Sequence, residues 1–288
     1  MGPIVFLDYD QQALDDAYDQ AAYAPSRDEL VGRLAQASRE VRARLQPLRA
    51  AYGARPIEQL DIYRAPAAGA PVGVFVHGGA WQRGIAAEHA YAAEMFLKAG
   101  AHFVVLDFDR VQDAKDSLYT MVDQVRRAVA WVYRNADRFG GDRNRLHVIG
   151  HSSGAHLGGC VAITRWDELD LPADTVRSYT LQCGMYDLRG PRLSKRSAYV
   201  PFTDAMEEAL SPQRHLDRII APVTLVHGSR ETPEFQRQSR EFAAALRAAG
   251  RPVELILAQD CNHFEVAGTL ADPEGYTGRA VRQQMSLL

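Results

Sequence analysis

Leu146-His-Val-Ile-Gly-His-Ser-Ser-Gly-Ala-His156 opens as a strand and closes as a helix. Leu146, Val148 and Ile149 form an apolar β-like run that stops at Gly150, and a small-residue helix starts after Ser152. Gly150-His-Ser-Ser-Gly154 is thus a G-x-S-x-G turn in strand–turn–helix context, where the central hydroxyl stands clear of the sheet. The flanking glycines leave room for neighbouring backbone, and a helix beginning at Ser153 aims N–H groups at the same point. Ser152 is the candidate nucleophile; the plainer alternative is a Gly/Ser-rich turn with no chemistry.

Outward from this turn, apolar strands alternate with helical stretches. The expected strands are Val72–Val76, Phe103–Phe108, Leu146–Ile149, Tyr179–Cys183, Val223–Val226 and Val253–Leu257, after a short one at Leu60, Ile62 and Tyr63. Helices are expected near Ala86–Ala99, Ser117–Phe139, Ser153–Thr164 and Pro233–Ala249. Strands that are apolar on both faces and alternate with helices predict an α/β protein with a mostly parallel, doubly wound sheet. The rhythm breaks between Cys183 and Val223. There, residues 189–216 read as a lid-like insertion with a short helix capped by Asp204, Glu207 lying three positions on. Residues 1–53 read as a helical arm: Leu14, Tyr18 and Tyr23 space one segment, and Leu30, Leu34, Val41, Leu45 and Leu48 space a second behind the capping-box pattern Ser26-Arg-Asp-Glu29. The arm is expected to pack on the outside of the core, with Tyr18 or Tyr23 as alternative contributors to a substrate mouth.

The chain has 288 residues, 47% hydrophobic and 24% charged, which suits one large domain spanning 1–288. A formal charge of −3 without a basic block excludes an electrostatic footprint for nucleic acid or an anionic membrane, so a small molecule is the expected partner. No 18-residue apolar run is present, and Gly2-Pro-Ile-Val-Phe-Leu-Asp8 lacks the basic region of a signal peptide, so a cytoplasmic address is expected. Cys160, Cys183 and Cys261 form neither a paired framework nor a metal spacing and read as reduced thiols. No metal and no cofactor are expected; a homodimer is compatible with the sequence.

His77-Gly-Gly-Ala-Trp81 directly follows the strand Val72–Val76, and a Gly-rich turn there can aim successive N–H groups at an oxyanion. Gly79, Ala80 and Ser153 are the expected donors, with Gly78 shaping the turn. Of nine histidines, only His215, His227 and His263 lie beyond the nucleophile's own helix. His263, in a loop just past the last strand, is best placed as base; His151 is the variable position of the turn and His156 is helical. Three carboxylates compete as its partner. Asp260 is only three residues before the base, and Asp187 sits where the lid begins. Glu231 follows the strand before the one leading to His263 and opens the helix at Pro233, where the dipole favours an ionised carboxylate. Trp81, Tyr186, Tyr199, Phe202 and Phe264 are candidates for an aromatic pocket, or equally for core.

Taken together, His77-Gly-Gly-Ala-Trp81, Gly150-His-Ser-Ser-Gly154, Met185-Tyr-Asp-Leu188, Glu231-Thr-Pro-Glu-Phe-Gln-Arg-Gln-Ser239 and His263-Phe-Glu265 resemble the kynurenine formamidase (arylformamidase) branch of the α/β-hydrolase superfamily, near the hormone-sensitive-lipase-like esterases. The resemblance runs from about Tyr52 to His263 and loosely includes Leu7-Asp-Tyr-Asp10. It implies a metal-free serine hydrolase cleaving aryl formamides or small carboxylic esters. Ala80 stands where such proteins often carry Tyr, and Glu231 where they often carry Asp. A non-catalytic binding protein on the same fold would be marked by loss of Ser, acid or His, and all three are present in order.

Overall fold

The computed structural model describes residues 2–115 and 117–288. Its centre is an eight-stranded sheet built from β3 (Leu48–Ala51), β4 (Gln59–Tyr63), β5 (Ala70–Val76), β6 (His102–Leu106), β7 (Gly141–His151), β8 (Ser178–Gln182), β9 (Val223–Gly228) and β10 (Val253–Ala258); a hairpin of β1 (Ile4–Phe6) and β2 (Tyr9–Asp10) stands apart. The spatial order is β10-β9-β8-β7-β5-β6-β4-β3. β3 and β4 run antiparallel and the other six strands pair in parallel. All residues of β5, β6, β8 and β9 are buried, as expected for strands covered on both faces.

The helices supply that cover: α1 (Gln11–Ala17), α2 (Arg27–Leu45), α3 (Ala93–Lys98), α4 (Leu118–Asn135), α5 (Ser153–Ala162), α6 (Arg189–Leu193), α7 (Asp204–Ala209), α8 (Pro233–Ala248), α9 (His263–Gly268) and α10 (Tyr276–Gln284). In α4 the buried Leu118, Met121, Val122, Val125, Val129 and Val132 recur at helical spacing and seal one face of the sheet. Among the described residues no helix is long and apolar enough to cross a membrane. Because the parallel strands point one way, the segments leaving β5, β7, β9 and β10 emerge on one rim, where open α/β sheets bind ligands.

Four local expectations are corrected. Leu48 does not continue α2: Gln46 turns into a left-handed conformation, φ 40°, and Leu48 enters edge strand β3. Ser26 occupies the N-cap of α2 without a side-chain capping bond, so its capping box does not form. The stretch Ala86–Ala99 is not one helix but two 3₁₀ turns, Ala86–Glu88 and Ala90–Ala92, followed by α3. Tertiary partners take its backbone groups: Asp107 accepts the Ala86 N–H at 2.6 Å and Ser38 accepts that of Tyr91 at 3.1 Å. Between β8 and β9, α7 is capped by the Thr203 hydroxyl, which accepts the Met206 N–H, and Asp204 is the first helical residue.

The N-terminal arm is fastened to the body by charge. Arg42 of α2 and Arg49 of β3 both pair with Asp61, a carboxylate fully buried on β4. Lys195 of the insertion pairs with Asp19 at 2.6 Å, and the Tyr18 hydroxyl donates to Glu234 of α8 at 2.9 Å. The arm therefore touches the core and the insertion at once.

Candidate active site

At the carboxyl end of β7 the chain turns at Ser152, which holds φ 57° and ψ −124°. A non-glycine residue there is strained, and the turn survives because its surroundings over-determine it. α5 is driven hard against the strands: a Cβ on Gly154 would lie 2.1 Å from the Val76 carbonyl oxygen, and one on Gly150 2.5 Å from that of Gly154. The two glycines of the motif thus exist for close approach of backbone.

His263 is the first residue of α9, positioned by a reciprocal cap. Asn262 accepts the N–H groups of Phe264 and Glu265 at 2.9 and 3.1 Å, and Glu265 accepts the Asn262 N–H at 2.8 Å. The imidazole then bridges two groups. Its Nε2 lies 2.9 Å from Ser152 Oγ and its Nδ1 lies 2.6 Å from Glu231 Oε1. His151, its ring tilted at 47° and 4.8 Å from that of His263, bonds the His263 carbonyl through Nε2 at 3.0 Å and so helps fix the backbone there.

The rival residues are engaged elsewhere. Asp187 accepts from the Arg189 N–H and from Arg214 at 3.1 Å, and Asp260 pairs with Arg230 at 2.9 Å on the surface. His215 contacts the Glu208 carbonyl, His227 the Gly228 carbonyl, and His156 sits between Trp81 Nε1 and the Leu210 carbonyl.

Four groups donate to the Glu231 carboxyl: His263 Nδ1, the Gly228 N–H at 3.1 Å, Gln20 Nε2 at 3.4 Å and the Cys183 thiol. Burial pushes Glu231 up to about 7, opposed by the Cys183 thiol and the Gly228 N–H. Those donors favour the ionised form and limit the rise that burial alone would cause. Burial pulls His263 down to about 3, and the nearby Arg196 charge adds to it, so the resting imidazole is neutral and able to accept a proton from Ser152.

After β5 the loop His77–Trp81 runs past the serine with positive φ at Gly79 (123°), Ala80 (55°) and Trp81 (63°). The N–H groups of Gly79 and Ala80 make no hydrogen bond among the described residues. That of Ser153 belongs to the first turn of α5, where helical N–H groups have no partner within the helix. Ser153 also acts through its side chain, for its Oγ accepts the Trp81 N–H at 3.2 Å and ties the loop to α5.

Ser152, His263, Gly78, Gly79 and Ala80 open onto a cavity of about 1080 Å³. Phe264, Tyr199 and Tyr18 line it too, whereas Tyr23 is exposed and does not. Three expected pocket residues lie off its wall. Tyr186 is fully buried and stacked on Phe242 at 4.4 Å; Trp81 is buried with its indole on His156; Phe202 packs edge-on to Trp81. Their apolar area is spent on the core. Sequence reasoning missed Gln20, Cys183 and Arg196, none of which carries a local pattern, and it passed over the Asn262-x-x-Glu265 cap that makes His263 the first residue of a helix. It also found no metal spacing, yet folding brings ligand atoms of His151, Cys183 and His263 within 4.8 Å of one another. Each is already bonded within the cluster described above, so a metal there would have to displace those bonds.

The BD-FAE family profile matches residues 60–183, from β4 to the end of β8. A kynurenine formamidase of Danio rerio is 32% identical over 232 residues, covering 77% of this chain and 75% of that one. The chain belongs to the kynurenine formamidase-like branch of the α/β-hydrolases. Within the same superfamily, the esterase LipC of Mycobacterium tuberculosis is 31% identical over 224 residues, covering 70% of this chain and only 55% of LipC. Among solved structures, a provisional thioesterase from a Silicibacter species superposes with a TM-score of 0.81 at 24% identity, over 92% of this chain and 97% of the other. That likeness establishes the α/β-hydrolase fold, and the relatives establish a hydrolase.

Proposed function

We propose that this hydrolase works by a serine mechanism on a small amide or ester, with an aryl formamide as the favoured substrate. Ser152 attacks the carbonyl, His263 takes its proton and later returns it to the leaving group, and Glu231 holds the imidazole in the Nδ1–H tautomer and stabilises the imidazolium. The N–H groups of Gly79, Ala80 and Ser153 receive the oxyanion. The observation that carries this reading is the single imidazole within hydrogen-bond reach of both Ser152 and Glu231. No step in it calls for a metal or a cofactor.

Carboxylesterase activity is the second reading, favoured by the LipC relative and by the shared acyl-enzyme chemistry, in which pocket shape selects the leaving group. The deciding experiment is a rate panel of N-formyl aryl amines against 4-nitrophenyl esters of increasing acyl length. Formamides within tenfold of the best ester in kcat/KM support the first reading; a deficit of orders of magnitude leaves an esterase. The reading also takes residues 1–288 as one domain, with the arm and the insertion as parts of its mouth, acting as a cytoplasmic enzyme on small molecules and not on nucleic acid. Sedimentation of the purified chain decides between monomer and homodimer.

A further inference from the structure

The insertion over the rim puts a guanidinium into the cavity beside the candidate triad. Arg196 is 7% exposed, yet among the described residues no carboxylate lies within 4.0 Å of it. Its Nη1 donates to the Tyr199 hydroxyl at 2.8 Å and its Nη2 to the Tyr18 carbonyl at 3.2 Å, while Nε is buried without a partner. The rings of Tyr18, Trp81 and Phe235 each stand 5.7 Å from Cζ. Those rings cover the apolar flanks of the guanidinium but leave N–H donors unused. An unpaired buried charge is costly, and aromatic faces offset only part of that cost. Of the other cations lining the same cavity, Lys195 has Asp19 at 2.6 Å, Arg110 has Asp113 at 2.6 Å and Arg27 has Asp28 at 3.4 Å, while Arg83 is exposed, so that water and not the protein solvates its charge.

We infer that Arg196 is the anchor for a carboxylate carried by the substrate, so that the natural substrate is an amide or ester acid and not a neutral one. The inference rests on the hydrolase reading above. A guanidinium edge with free N–H donors matches the two oxygens of a carboxylate. The reach is short, because one ring, Phe235, lies 5.2 Å from the His263 ring as well as 5.7 Å from Arg196. Arg196 Cζ is therefore no more than about 11 Å from the His263 ring, within the span of a small aryl acid. The charge also has a consequence for catalysis. Arg196 disfavours the imidazolium at His263, and a bound anion cancels that field, so the correct substrate itself helps the base accept its proton.

The test compares matched ligands by calorimetry: 3-phenylpropanoate and the neutral 3-phenylpropanamide. The wild-type protein is expected to bind the carboxylate at least about tenfold more tightly, as for charge-assisted hydrogen bonds. Arg196→Gln should bring the ratio to about one, Arg196→Lys should keep part of it, and Arg83→Gln on the same cavity should leave it intact. Equal wild-type binding, or a preference that survives Arg196→Gln or vanishes in Arg83→Gln, overturns the inference. Should Arg196→Gln fail to fold, the wild-type ratio and the Lys variant still decide. In parallel, 3-acetoxybenzoate and 3-acetoxybenzamide are compared as substrates, with fluorophosphonate labelling of Ser152. Labelling and turnover without a carboxylate preference sink this inference alone. Absence of labelling sinks the serine mechanism, while the binding ratio still judges Arg196.

Discussion

Ser152 and Ser153 are neighbours with opposite duties. Ser152 Oγ faces the His263 imidazole at 2.9 Å, whereas Ser153 Oγ accepts the Trp81 N–H. Ser152→Ala should lower kcat by on the order of 10³ or more, while Ser153→Ala, which keeps its own N–H and loses one tie to the loop, should cost about tenfold or less. A fluorophosphonate adduct mapped by mass spectrometry to Ser153 would contradict this. For Glu231 the expected loss is roughly 10²–10⁴ in kcat for Glu231→Gln, with labelling at Ser152 retained, because the amide cannot replace the carboxylate opposite an imidazolium. Near-normal turnover in Glu231→Gln together with collapse in Asp187→Asn would move the acid to the end of β8.

α5 and β5 meet with no space for a methyl group, and their contact sets both the serine and the loop that faces it. A Cβ on Gly154 would strike the carbonyl oxygens of Val76 and His77 at 2.1 and 2.4 Å. Backbone cannot swing aside as a side chain can, so Gly154→Ala must push α5 away from β5. The expected cost is about 3 kcal/mol of stability, at the upper end for overpacking, with activity lost beyond that because the loop after β5 shifts with the strand. Urea melts of Gly154→Ala within about 0.5 kcal/mol of the wild type would refute the tight seat.

Buried histidines make the stability of the whole chain depend on pH. Burial pulls His147 and His156 down to about 4 from an unfolded value of 6.5, with Arg145 and Arg177 adding to the effect at His147. Between those values the unfolded chain binds protons that the fold excludes. Stability is therefore full above about pH 6.5 and falls toward pH 4, by up to about 1.4 kcal/mol per pH unit for each such histidine. Glu231, pushed up to about 7, has the opposite sign and stabilises below its unfolded value of 4.5, but it is one group against at least two. Guanidinium midpoints measured at pH 7 and pH 5 should show the lower stability at pH 5; an equal or higher midpoint there would mean that these rings are hydrated in the fold.

What the sequence determined by itself was whatever short-range chemistry can announce. Runs such as Val72–Val76, which carries no polar side chain, and Leu146–Ile149, apolar but for His147, look this way because both faces are covered, and that pattern predicts strands of a parallel sheet. Gly150-His-Ser-Ser-Gly154 and His77-Gly-Gly-Ala-Trp81 were legible because strained turns and exposed N–H groups demand particular residues at fixed local spacing. Chain order then nominated Glu231 and His263, but only the parallel sheet, by delivering the ends of β7, β9 and β10 to one rim, brings Ser152, Glu231 and His263 into hydrogen-bond contact. Where packing decides, the local signals misled. Ala86–Ala99 has helical composition, yet Asp107 and Ser38 claim its N–H groups, and the aromatic character of Tyr186 and Trp81 could not reveal which face of the core they would fill. Gln20 and Arg196 reach the same cavity from the arm and the insertion, 176 positions apart, and their meeting depends on long-range docking for which the chain carries no local pattern.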